Sequence, residues 1–463
     1  MGIIAEIEGH DDQEMMENYK KAGFEDQEEN NDDDVVVSIE KMFMKLPPIN
    51  PKCFIYQVPE LHRKMNDIAY TPQLISIGPL HHGQQQYKAA EQYKVYALKR
   101  YLSRINMTVG EAMDIAGRWE ETARNCYANP IDMNREEFVK MMLLDSCFIL
   151  EFMNSTVCRL RYWGQNEDHW MNDTLLCGLL FGLKRDLSMF ENQLPFFPLQ
   201  ELFYLSFNRQ NVTNPPSPII FLTSMAHLFI ATTGGYQLRC NVLDDTHKVR
   251  HLVDLLRFYY IPSPDTEEYK SYEAEKSSYI NTPTISELCE AGVQIQRADD
   301  AKSLLDFNFK DGVLKIPPFN IHIEFEIQIR NLIVSEIFHD TDDSKFIFDY
   351  IALLDDLINT EKDVSILVKE KILTNEIGGS DEPVYKLIND LRLNAPTFPL
   401  AYYYSNMSKD LNEHCRKWWN RSLASLRRDY FNNPWASISF VAATVLLILT
   451  LLQTLFSAPA FFH

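Results

Sequence analysis

The sequence predicts a mainly α fold: one large helical domain, a small antiparallel β meander within it, and one C-terminal transmembrane helix. Three observations carry that expectation. Apolar residues recur at spacings of three and four, behind capping signatures, through most of the 463 residues. Short β-type runs gather around a single Asp311-Gly312 turn. Residues 435–456 contain no charged side chain.

The last of these sets the C-terminus. At 1.5 Å per residue, 435–456 makes a rod of about 33 Å, enough for a hydrocarbon core of about 30 Å. Twelve of its positions are Leu, Ile, Val or Phe. Trp435 stands where an interfacial aromatic belongs, and Pro434 fits a first helical turn. Arg416, Lys417, Arg421, Arg427 and Arg428 precede the stretch, while 457–463 has no Lys or Arg. The positive-inside rule then places the large domain in the cytosol. The expected location is a membrane, the plasma membrane among the candidates, and one partner is the membrane itself.

The start of the chain is different in kind. Residues 1–40 hold fourteen Asp and Glu against two Lys, a balance of 2 − 14 = −12 out of −21 for the whole. Such a stretch buries too little apolar surface to offset its ordering entropy, so 1–46 reads as a disordered acidic tail. The expected helical domain covers 47–431, divided at most into two lobes near 263–283, with the span at 435–456 and a short tail at 457–463.

Within that domain the elements follow from local patterns. Pro59 starts a short helix through Lys64. Leu74, Ile75 and Ile77 read as a buried strand closed by Gly78-Pro79. A helix over 88–103 brings Ala89, Tyr93, Ala97 and Tyr101 to one face. Asn134 with Glu137 opens a helix that is apolar almost all round over 138–153, and so should be central. Further helices are expected over 175–190, from Pro198, over 247–260, and from a Thr284/Glu287 capping box to Gly292. Strands are expected at 293–296, 304–309 and 313–316. Residues 321–329 alternate like a strand, but Phe325 to Ile337 also fits a helix, which is the reading favoured from Phe325 on. Helices at 346–373 (broken near Asn359-Thr360), after the Gly378-Gly379 turn, and from a Ser408 cap to Tyr430 complete the domain.

Chemistry is harder to find. No phosphate loop, dinucleotide fingerprint or nucleophile elbow occurs. No basic stripe exists to neutralise phosphates, which argues against nucleic acid. Eight cysteines are scattered without a CxxC pair and read as reduced thiols. His81-His82-Gly83 invites a metal reading, but adjacent histidines point apart and no ligand partner stands at a usual spacing. Asp145, Glu151, Asp186 and Glu191 could supply paired carboxylates for general acid–base hydrolysis. Buried or half-buried salt bridges between helices explain all of them without chemistry, and that is the favoured reading. No catalytic, cofactor or metal residue is therefore assigned. Six glycosylation sequons, at Asn106, Asn154, Asn172, Asn211, Asn406 and Asn420, would matter only if the domain faced outward.

Several motifs in order carry a resemblance: AYTPQLISIGPLHHG at 69–83, EEFVKMMLLDSCFILEF at 136–152, RDLSMFENQLPFF at 185–197, GVLKIPPF at 312–319 and LINTEKDV at 357–364. They resemble the plant domain of unknown function 247 family, also called uncharacterised protein family 0481. The resemblance implies a plant protein with a largely helical domain and a terminal span, and no known activity; some grass members are linked to self-incompatibility recognition. The expectation is a membrane-anchored recognition or scaffolding module with an unknown protein partner and no enzymatic activity, the alternative being a hydrolase built on paired carboxylates.

Overall fold

The computed structural model describes residues 32–45, 53–161, 173–210, 249–262, 269–270, 272, 277–301, 303–338, 345–393, 401–417 and 434–457. The chain forms two compact units, Met1–Pro51 and Lys52–His463. In the first, α1 (Asp32–Lys45) is a helix within the stretch expected to lack structure. Every described side chain on it, 35–43, is exposed. Residues 1–31 of the acidic tail lie outside the described residues.

The second unit is mostly helical. Pro59 precedes α2 (Glu60–Met65). Then come α3 (Lys88–Arg104), α4 (Val109–Gly117), α5 (Glu120–Arg124) and α6 (Arg135–Arg161). The Oδ1 of Asn134 accepts the Glu137 N–H at 2.9 Å, as a cap should. From Phe138 to Met153 every α6 side chain but Lys140 is buried, and the helix packs against α3, α4 and α8. A helix that is apolar around its whole circumference has no solvent face to offer, so others must surround it.

Next along the chain are α7 (Asp173–Leu187), α8 (Phe197–Arg209), α9 (Leu252–Tyr260) and α10 (Ile285–Glu290). Pro198 occupies the first turn of α8, and the Thr284/Glu287 capping box opens α10 as expected. Strands β1 (Gln294–Arg297), β2 (Asn308–Lys310), β3 (Val313–Ile316) and β4 (Phe319–Ile321) lead into α11 (Ile323–Ile337). After it stand α12 (Phe346–Leu357), α13 (Glu361–Lys369), β5 (Leu373–Asn375), α14 (Glu382–Leu393), α15 (Ser405–Arg416) and α16 (Pro434–Ser457). The break expected near Asn359-Thr360 is the Thr360/Asp363 capping box of α13.

The β region departs from an antiparallel meander. Strands β2 and β3 do form the expected hairpin, turning at Asp311 (φ 51°) and Gly312 (φ 79°). But β1 joins β3 in parallel, and β4 pairs in parallel with the distant β5. The cause lies in 303–307, which forms no strand. Leu305 and Phe307 are buried there, the Asp306 carboxylate accepts the Ser303 N–H, and Leu305 accepts a hydrogen bond from the Tyr404 hydroxyl. The alternation at 321–329 also resolves. Strand β4 ends at Ile321, and His322 Nδ1 caps the new helix by accepting the Phe325 N–H at 3.1 Å. Helix α11 is buried almost all round, so it shows no clean helical stripe in sequence.

Two expectations at the C-terminus are corrected. Ser408 is not a cap: α15 starts at Ser405, and the buried Ser408 hydroxyl lies 2.7 Å from that of Thr282. Trp418, Ser422 and Leu426, expected to face inward, lie outside the described residues. The expected transmembrane helix is not supported either. Helix α16 runs for 24 residues, yet among the described residues no helix is long and apolar enough to cross a membrane.

Candidate functional site

Residues 72–79, expected to hold a strand, form an irregular loop without a strand partner, and 75–78 are buried. A buried loop must find partners for its own backbone groups. Here side chains supply them. Asp186, near the end of α7, accepts three consecutive N–H groups on one Oδ2: Gln73 at 3.1 Å, Leu74 at 2.6 Å and Ile75 at 3.0 Å. Asn192 accepts the Ile77 N–H at 2.6 Å and donates to the Ile75 carbonyl at 3.0 Å. Asp145, from α6, accepts the Gly78 N–H at 2.8 Å. The Lys94 ammonium, from α3, donates to the Ser76 carbonyl at 2.5 Å and pairs with Asp145 and Glu91, each at 2.7 Å. Gly78 has φ 73°, and a Cβ there would stand 2.2 Å from the Gln193 carbonyl oxygen. Only glycine fits.

The other two candidate carboxylates are held as firmly. Glu191 accepts the Val58 N–H at 2.5 Å, pairs with Arg63, and lies 3.2 Å from His81 Nε2. Glu151 sits fully buried between Arg100, at 3.1 Å, and Arg104. The structure therefore gathers Asp145 and Asp186 around one loop, while Glu191 holds Val58, Arg63 and His81 and Glu151 faces α3. Each has a cation or backbone N–H partner. Burial would lower the Lys94 pKa, but the Asp145 and Glu91 carboxylates outweigh it and hold it above the usual lysine range. Burial pushes the Asp145 carboxyl up against the pull of Lys94. Of the histidine pair, His81 is engaged by Glu191, and Gly83 turns the chain at φ 79°. Among the described residues, no group of three or more His, Cys, Asp or Glu is placed to hold a metal ion.

A second acidic set, on α11 and α12, was not singled out by sequence reasoning. Glu336 is fully buried, accepts the Ile347 and Phe348 N–H groups at 3.1 and 3.2 Å, and pairs with Arg257 at 3.2 Å. Asp349 accepts the Tyr403 N–H at 2.8 Å. Asp356 accepts the Tyr279 hydroxyl at 2.5 Å and the Thr282 N–H at 2.9 Å. Asp355 lies 4.0 Å from Arg392. Burial raises all four carboxyl pKa values, that of Asp355 to about 6. A signal did exist: Asp349 and Asp356 stand seven apart in an otherwise apolar helix, hence on one inward face. Between α10 and α15 opens a polar groove of about 660 Å³, lined by Asn281, Glu287, Glu290, Asn412 and Arg416 among others. Its acids are already committed, Glu287 to the Thr284 cap and Glu290 to Lys362.

Such an arrangement is built for rigidity. Each candidate carboxylate is held by at least one cation or backbone N–H, which fixes its position and that of the segment it grips.

The profile of a plant protein family of unknown function, domain of unknown function 247, matches residues 55–449. The chain belongs to the DUF247 family. A UPF0481 protein of Arabidopsis thaliana is 27% identical over 429 residues, covering 87% of this chain and 85% of its own length. A putative UPF0481 protein of the same plant is 22% identical over 473 residues, covering 86% and 89%. No solved structure matches. The clamped loop at 72–79 and all four candidate carboxylates fall inside the DUF247 match, whereas α1 falls outside it.

Proposed function

We propose that this DUF247 protein acts by recognition, as a rigid scaffold carrying an acidic, amphipathic docking helix, and not by catalysis. One observation carries the reading: on α1, Val35, Val36, Ile39, Met42 and Phe43 are all exposed, Phe43 by 65%. At 100° per residue these five fall within about 120° of arc, one continuous apolar stripe. A solvent-facing stripe of that kind is a docking face, of the type that lays an amphipathic helix into a groove. The partner's chemistry follows from charge. The helix opens on three aspartates, and the first forty residues carry −12. The matching surface is an apolar groove on another protein, rimmed by Lys and Arg.

The clamped carboxylates support the same reading from the other side. Hydrolysis by a carboxylate pair needs one acid free to protonate and one free to ionise, facing a substrate cavity. Asp145, Glu151, Asp186 and Glu191 are each spent on the scaffold instead.

The test compares proteins retained by the full chain and by the full chain carrying Ile39→Ser and Phe43→Ser. A partner held by the first, lost by the second and weakened at high salt is expected. Turnover of a glycoside or ester by the wild type, abolished by Glu191→Gln in a variant that still folds, would overturn the reading.

A further inference from the structure

Cys53, Cys126, Cys147, Cys289 and Cys415 are in no disulfide. Two of them lie on hydrogen-bonded neighbouring segments where the larger unit begins. The segment 53–58 lies beside the residues that follow α5, through a parallel bridge between Ile55 and Tyr127. The Cys126 carbonyl accepts the N–H groups of both Phe54 and Ile55 at 3.0 Å, and Ile55 accepts the Ala128 N–H at 2.9 Å. Phe54 is bonded directly to Cys53. With standard bond lengths, a 3.0 Å bond from the Phe54 nitrogen to the Cys126 oxygen keeps the two cysteine Cα atoms within about 8 Å. A disulfide needs about 4.4 to 6.8 Å between Cα atoms, a range that lies inside that limit.

The two thiols differ in their surroundings. The Cys53 sulfur is half-buried and donates weakly to the Tyr56 hydroxyl at 3.3 Å. The Cys126 sulfur is buried and donates to the Thr122 carbonyl at 3.2 Å. Burial, reinforced by the nearby Cys53 sulfur, pushes the Cys126 thiol up to about 12. Cys126 is thus the protonated, protected member, and Cys53 the one an oxidant reaches first.

We propose that Cys53 and Cys126 form a redox-sensitive pair that closes to a disulfide under a peroxide oxidant, pinning the first segment of the domain to the α5–α6 connection. The Cys53 sulfur attacks hydrogen peroxide; an S–O bond forms, the O–O bond breaks, and hydroxide leaves as water after taking the thiol proton. The Cys126 sulfur then attacks the Cys53 sulfur. An S–S bond forms, the S–O bond breaks, and water departs with the Cys126 proton. Two electrons pass from the two sulfurs to the peroxide. The closed ring spans 126 − 53 = 73 residues of separation. It ties down the segment whose Val58 N–H is held by Glu191.

The test uses the full chain, reduced, then treated with hydrogen peroxide. Remaining thiols are capped with iodoacetamide and the protein is digested with trypsin without reductant. The expected product joins peptides 53–63 and 125–135 and is two hydrogens lighter than their sum. The joined product disappears in Cys53→Ser. In Cys126→Ala, the Cys53 sulfenic acid lacks its resolving partner and is trapped by dimedone. The proposal falls if both peptides carry the iodoacetamide label while the treated protein still melts cooperatively. It falls equally if Cys53 pairs elsewhere, or if Cys126→Ala gives no dimedone adduct.

Discussion

Asp186 concentrates more structure on one atom than any other residue in the clamped loop, since three backbone N–H groups share its Oδ2. Buried donors left without acceptors cost about 1–3 kcal/mol each. Asp186→Ala should therefore destabilise the protein by about 1–3 kcal/mol, chiefly through the buried Ile75 N–H, read as a lower urea midpoint, with Asp186→Asn intermediate because an amide oxygen still accepts. Gly78→Ala should cost about as much through its collision with the Gln193 carbonyl. Asp355 behaves oppositely with pH. Burial raises its carboxyl from an ordinary 3.8 to about 6, so between those values the folded protein holds a proton that the unfolded chain releases. Unfolding stability then falls as pH rises from about 4 to about 6 and levels off above. Asp355→Asn should remove that slope and be more stable than wild type at pH 7 by on the order of 1 kcal/mol, with the two matching at pH 4. Chemical denaturation across that pH range is the measurement.

At the scale of elements, the caps were readable and the loop was not. Thr284/Glu287 and Thr360/Asp363 each act within four residues, so the sequence displays both partners side by side. Thr284→Ala or Thr360→Ala should each cost about 1 kcal/mol, visible as a lower thermal midpoint. Residues 74–77 instead looked like a strand because Leu74, Ile75 and Ile77 are apolar and β-favouring. What they lack is a partner strand; Asp186 and Asn192, more than a hundred residues on, take its place. No local pattern announces a side chain standing in for a strand. The β1–β3 pairing was hidden likewise, since 303–307 forms no strand. The carboxylates were legible as residues of interest, but the Arg and Lys partners of Asp145, Glu151 and Glu191 lie on other helices. Only the fold reveals that they are spoken for. The paired thiols at 53 and 126 were invisible for the same reason: nothing in a spacing of 73 suggests contact.

For the whole molecule, the division between Met1–Pro51 and Lys52–His463 carries its own expectation. Removing residues 1–51 should leave the thermal midpoint of the remaining chain within a few degrees of the full protein, while abolishing retention of the basic-rimmed partner. A large fall in the midpoint would show that α1 belongs to the core and is no free docking element. The buried Arg257–Glu336 pair is the contrasting case, since it joins α9 to α11 and α12 inside the larger unit. Arg257→Met should cost about 3–5 kcal/mol by stranding a buried charge, seen in calorimetry as a lower midpoint of the main transition.

The clamped loop also has a consequence for how the chain is made. Its residues leave the ribosome well before the side chains that fasten them; Ile77 waits for Asn192, 115 positions later. At roughly 5–20 residues per second, that is about 6 to 23 s before the Ile77 N–H can reach its acceptor. A nascent chain stalled before Asp186 should thus be a chaperone client and a protease substrate at 72–79, and one stalled well past Asn192 should be neither.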